Sequence, residues 1–288
     1  MNELDQMDAL ADNERMVHLL AGYEFPWDFI RSLELALMRS YTIPRISRLL
    51  DVTGEFRERG QKRYDDTAIL VAEFLKHGYS SERGTAAIDR MNEQHAQFSI
   101  RNEDYLFVLS TFVLDPIDWM AKFGRRPMSE READALCNFW IEVGRRMHLS
   151  DIPADLAALR EFAHNYTRDH CRYDDANQRL AEATLKIASD WLPAGVGLRW
   201  LVKPAASALM DKPMRDAFGF PAAPWPIQLA VTGMLKLRRL ALRLLPRRKK
   251  SAFFCDAPTR TYGACPYRID QLGPCPRANR DDDTTPSI

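Results

Sequence analysis

Three side chains set the chemical question: His95, Arg63 and Thr67. His95 sits in "DRMNEQHAQFSI", residues 89–100. At one residue per 100° of helix, Gly84, Ala87, Ile88, Met91, His95 and Phe98 fall within about 100° of one another. The imidazole therefore shares the buried stripe of an amphipathic helix. A histidine there is either a core residue with a hydrogen-bond partner or a ligand to a metal or a haem iron. Zinc fits poorly, because no second His or Cys lies three or four residues away. A haem requires only one axial imidazole. The small residues Gly84 and Ala87, earlier on the stripe, would give a flat cofactor room. On these residues alone both readings stand.

Arg63 and Thr67 lie four apart in "RGQKRYDDT", on one helix face that continues through Leu70 and Phe74. An arginine one turn before an apolar stripe can be an ordinary end-of-helix ion pair, with Asp65 and Asp66 at hand. It can also hold a cofactor carboxylate or steady the charge of bound oxygen, with the threonine hydroxyl beside it. The other histidines carry less. His164 and His170 are six apart, off the spacing of a shared helical metal site, and His18, His77 and His148 fall near element ends, where solvation is expected. Cys255, Cys265 and Cys275 are too widely spaced for a metal knuckle.

The elements that must position these groups are helical. Apolar periodicity predicts helices over 27–40, from Pro44 to a stop at Gly54, and over 64–77 closed by Gly78. Ser80 or Ser81 caps the helix that carries His95. Asn102 caps a nearly all-apolar helix that Pro116 and Gly124 punctuate. Ser129 and Glu132 form a capping box, and Pro153 starts the next helix. Further helices are expected over 175–191, 196–211 and 225–245. An acidic arm covers residues 1–20, the helical domain 21–245, and a basic then Pro-, Gly- and Cys-rich tail 246–288, whose last residues look disordered.

Lys plus Arg and Asp plus Glu both number 40 in 288 residues, which argues against a nucleic-acid partner. No signal peptide and no uncharged run of 18 apolar residues is visible. Five cysteines without tight pairs suggest a reducing, cytoplasmic compartment. Residues 227–250 ("IQLAVTGMLKLRRLALRLLPRRKK") combine a broadly apolar helix with a polar stripe of Lys236, Arg239 and Arg243 and the cluster Arg247, Arg248, Lys249 and Lys250. Such a helix can lie in an anionic membrane surface. It can equally be a core helix with a solvated edge, and Arg238 on its apolar side weighs against the membrane.

"KRYDDT", "MNEQHAQFSIRNEDYLFVLSTFV", "FGRRPMSEREADALCNFWIEVGRRM" with "DIP" after it, and "TRTYGACPYRIDQLGP" occur in this order. Together they resemble the MpaB-like oxygenase family, whose superfamily includes the rubber oxygenases, over about residues 33–274. The resemblance implies an all-α single domain, here of roughly eight to ten helices, around a buried b-type haem pocket. It implies that His95 is the proximal iron ligand and that Arg63 and Thr67 lie in the haem pocket. Met91, one turn before His95 on the stripe, joins them as a candidate cofactor contact. Rubber oxygenases carry a Lys directly before the pocket Thr, which can close the distal site, whereas this chain has Asp66. That departure sets the chain nearer the MpaB branch than the polyisoprene-cleaving one.

The implied activity is oxidation of a small apolar compound by dioxygen, in some cases by cleavage of a prenyl double bond. Tyr105, Leu106, Leu109 and Phe112 are candidates for the wall of the substrate pocket. The competing functions are a haem-binding sensor without turnover and a helical interaction protein without cofactor.

Overall fold

Gly54 and Gly78 end helices where the sequence expects it, because both take positive φ, 72° and 83°, a conformation with little penalty only for glycine. The computed structural model describes residues 3–193, 197–263 and 267–274. Among these residues there is no strand, and thirteen α-helices follow one another. They are α1 (Asn13–Leu19), α2 (Pro26–Ser40), α3 (Pro44–Thr53), α4 (Glu55–Glu58), α5 (Gly60–His77), α6 (Glu82–His95), α7 (Asn102–Lys122), α8 (Glu130–Arg146), α9 (Leu156–His170), α10 (Asp175–Asp190), α11 (Val202–Leu209), α12 (Lys212–Phe218) and α13 (Trp225–Leu244). α11 falls inside the helix expected over 196–211, and the count exceeds the eight to ten expected because α1, α4 and α12 are short added pieces of four to seven residues. Pieces of that length carry too few periodic positions to be read from sequence.

Local chemistry explains most boundaries. The Ser81 hydroxyl accepts from Gly84 N at the start of α6. Ser129 and Glu132 form the expected reciprocal cap of α8. Asn102 does not cap α7. Its amide spans to the backbone of Ser150 instead, donating from Nδ2 at 2.9 Å and accepting on Oδ1 at 3.0 Å. Pro116 does not break α7, which runs on to Lys122. A proline inside a helix costs about 3 kcal/mol, and long packing of α7 along α2 offsets it. Pro153 precedes α9 by three residues, and the Asp155 carboxylate is its cap, accepting from Ala158 N at 2.8 Å.

Residues 3–20 of the acidic arm are packed on the body. Leu4, Met16, Val17 and Leu20 are buried in the main core with Phe74, Ile88, Val113 and Phe139, and α1 lies on α8. Leu4, Met16, Val17 and Leu20 face the body while Leu10 stays exposed, so the segment docks by one side only. A second core joins Tyr41 and Phe56 to α10 and α12.

The tail is also ordered over 251–263 and 267–274, as a strap across α5 and α6. The Thr261 amide donates to Asp65 Oδ2 at 2.8 Å, the Tyr262 hydroxyl to Asp66, and the Tyr267 hydroxyl to Glu73. Arg90 and Gln94 of α6 both donate to the Leu272 carbonyl at 2.8 Å. Asp66 thus anchors the strap together with Lys62, whose Nζ lies 2.8 Å away. The last residues, "RANRDDDTTPSI", lie outside the described residues, as do Cys265 and Cys275.

Tyr262→Phe and Tyr267→Phe are each expected to lower stability by about 2 kcal/mol, because each leaves a carboxylate short of a donor. Denaturant midpoints will show it. Burial pushes the Glu73 carboxyl up, but hydrogen bonds from Arg83 and Tyr267 outweigh it and hold the group below its ordinary value. A carboxylate depressed in the fold stabilises fully above its unfolded pKa, and that stabilisation is lost as pH falls through the folded value.

Candidate active site: a cavity at the end of α6

His95 is the last residue of α6, and the helix turns away before Phe98. The imidazole lines a cavity of about 560 Å³ between α2, α3, α5, α6, α7 and α8. Leu37, Leu50, Val71, Leu109, Phe112 and Trp140 supply much of its apolar wall, and Pro274 of the strap closes one side. Arg63 and Met91 line the same cavity. Thr67 lines a neighbouring space of about 80 Å³ that shares Leu37, Val71 and Phe112 with the larger one. A third space of about 440 Å³ shares His95, Phe98 and Tyr105, and His148 lies on its wall. The structure therefore gathers His95, Met91 and Arg63 around one volume and puts Thr67 next door.

No described residue hydrogen-bonds to the His95 ring, and its Nδ1 is buried without a partner. Burial, and then the nearby Arg63 charge, push the imidazole down to about 4. At neutral pH the ring is uncharged, the form that can ligate a metal. The Tyr105 ring centroid lies 5.3 Å from that of His95, and burial pushes its phenol up to about 12.

The bland reading of Arg63 fails. Asp65 and Asp66 are committed to the strap, and Arg63 makes no ion pair with a described carboxylate. Its Nη1 contacts the Thr67 hydroxyl, which in turn donates to the Arg63 carbonyl at 3.0 Å. Its guanidinium stands 5.5 Å from the Phe56 ring centroid. Arg45 lines the cavity too, but its charge is met by Asp104 at 3.1 and 3.2 Å, with the Tyr166 hydroxyl 2.7 Å from Nη2. Arg63 is thus a half-buried cation on the cavity wall still free to meet an anion.

Two expectations are corrected. Gly84 and Ala87 do not line the cavity. A Cβ on Gly84 would stand 1.8 Å from the Gly78 carbonyl oxygen, so the glycine lets α6 start tight against the end of α5. Leu106 is buried but turned away from the cavity, unlike Tyr105, Leu109 and Phe112. No local pattern marks Arg45, Trp140 or Pro274, which reach the site from distant parts of the chain. The nearly all-apolar character of α7 was the signal that this helix would stand beside it.

The profile of the family described as "ER-bound oxygenase mpaB/B'/Rubber oxygenase, catalytic domain" matches residues 33–244. The chain belongs to this family. It is 34% identical over 152 residues to the ER-bound oxygenase mpaB of Penicillium roqueforti (strain FM164), covering 50% of this chain and 51% of that protein. It is 28% identical over 267 residues to the ER-bound oxygenase mpaB' of Penicillium brevicompactum, covering 85% of this chain and 61% of the relative. The chain therefore spans about half to three fifths of these relatives. The solved structure of latex clearing protein in its closed state superposes with a TM-score of 0.60 at 18% identity, over 84% of this chain and 69% of that one. At that identity the likeness establishes the all-α fold.

Proposed function

We propose that this protein is a haem b-dependent oxygenase that oxidises an apolar compound, of the prenyl or alkene class, with dioxygen. The observation that carries the proposal is the neutral, unbonded imidazole of His95 on the wall of a cavity of about 560 Å³, in a member of an oxygenase family. The residues fit a haem. The volume lies within the usual range for a cofactor site. Among the described residues, no three His, Cys, Asp or Glu groups converge to hold a bare metal ion, whereas a porphyrin needs only one imidazole from the protein.

When bound, haem supplies redox-active iron for dioxygen chemistry. His95 holds that iron through a ring nitrogen, and Met91 packs one turn earlier on the same helix. Arg63 meets a negative charge, that of a propionate carboxylate first. The walls formed by Leu37, Val71, Leu109 and Phe112 exclude water and hold an apolar chain, which can extend into the smaller space beside Thr67. The Thr67 hydroxyl, now bonded back to the Arg63 carbonyl, is a donor at the junction of the two spaces.

An absorption spectrum of the purified protein is the first test. A protein without a Soret band that takes up no haem on reconstitution overturns the proposal. Turnover of an apolar alkene with dioxygen separates an oxygenase from a haem-binding sensor. Thr67→Ala is expected to keep haem and lose turnover by about 100-fold, the usual effect of removing one donor from a reacting charge. Arg63→Ala is expected to purify with a lower haem content. Full activity in both variants would remove this pair from the mechanism.

A further inference from the structure

α13 turns an apolar face to solvent. Trp225 is 77% exposed, Leu229 64%, Met234 66%, Leu237 67%, Leu240 55% and Leu244 82%. Single exposed leucines need no explanation, but a contiguous face of this kind on one helix marks a binding surface. The polar residues that seemed to interrupt the helix are turned elsewhere. Arg238 reaches inward and donates to Asp28 at 2.9 and 3.1 Å. Arg239 donates to the carbonyls of Ala121 and Lys122 at the end of α7, both at 3.0 Å. Arg243 donates to the Arg125 carbonyl at 3.1 Å. The arginines fasten α13 to the body and leave its outer side to hydrocarbon.

Charge identifies the occupant. Lys236 lies at the edge of the apolar face, and Arg247, Arg248, Lys249 and Lys250 follow its end, all exposed. Arg247 pairs with Glu24 at 3.4 Å. The others have no carboxylate partner among the described residues. No helix among those residues is long and apolar enough to cross a membrane. An apolar helix face with a tryptophan at one end and unpaired cations at its edge and other end matches the interface of an anionic bilayer.

We propose that the outer face of α13 seats this protein on an anionic lipid surface, with Leu229, Met234, Leu237, Leu240 and Leu244 in the acyl boundary and Lys236 and the 248–250 cluster among headgroups. The inference stands independently of the haem reading and gives the peripheral location in which an apolar substrate would be met.

The test is flotation of the full chain with vesicles of phosphatidylcholine containing about 30% phosphatidylserine, and with phosphatidylcholine alone. Binding is expected to the first at low salt, to weaken as salt rises, and to be at least several-fold poorer to the second. Leu237→Ser with Leu240→Ser is expected to reduce binding by about tenfold or more while leaving the circular dichroism and thermal midpoint unchanged, since both side chains are exposed. Arg248→Glu with Lys249→Glu is expected to weaken binding to anionic vesicles only. No flotation with anionic vesicles at low salt overturns the proposal, as does flotation that ignores both double variants. A stable dimer that the leucine variant dissociates would also overturn it, by showing that a second copy covers the face.

Discussion

His95→Ala is expected to purify with little or no haem, a loss of about tenfold or more in Soret absorbance per protein, while His164→Ala purifies fully loaded. The ring lacks a hydrogen-bond partner among the described residues. An imidazole nitrogen buried without a partner costs roughly 1–3 kcal/mol, and Nδ1 of His95 is in that position. A core histidine kept for packing would have found a carbonyl or hydroxyl. Truncation to alanine removes the unpaired group from the wall of an existing cavity, so the variant is expected to fold with a midpoint close to that of the parent. His148 is the more searching control, because it lines the adjoining space that shares His95. Retained haem in His148→Ala and lost haem in His95→Ala assigns the ligand. A fully loaded His95→Ala with an unchanged spectrum removes the ligand assignment and leaves the family membership intact.

The position of His95 on a buried stripe was legible because helix periodicity reaches it without interruption from Ser81. The meaning of Gly84 was not. A small residue on such a stripe can make room for a cofactor or for a neighbouring backbone, and only the Gly78 carbonyl decides between them. Asp66 shows the same limit from the other side. Beside Arg63 it reads as an ion-pair partner, yet its oxygens go to Lys62 and to Tyr262, nearly two hundred positions along the chain. Contacts of that separation leave no local pattern, so the strap reads from sequence only as a Pro-, Gly- and Cys-rich tail. In residues 3–20 the acidic average hides Met16 and Val17, which are fully buried. On α13 the sequence showed the apolar face and the basic cluster, but not which way each arginine turns.

That orientation makes Arg238→Ala the substitution with the largest expected cost to stability. Asp28 is 2% exposed and sits near the start of α2. It accepts from Trp119 Nε1 at 3.0 Å and from both terminal nitrogens of Arg238. The Arg238 guanidinium also lies 4.0 Å from the centroid of Trp27. Removing the arginine leaves a buried carboxylate with one neutral donor, a change that costs about 3–5 kcal/mol when water cannot enter. Chemical denaturation will report it as a lower midpoint with an unchanged slope. The double variant Asp28→Asn, Arg238→Met removes both charges and is expected to recover most of the loss, because the penalty belongs to the unpaired charge rather than to the missing bond. If Arg238→Ala loses less than about 1 kcal/mol, the carboxylate is reached by solvent as in an exposed pair. The inward turn of Arg238 would then hold α13 in place only weakly.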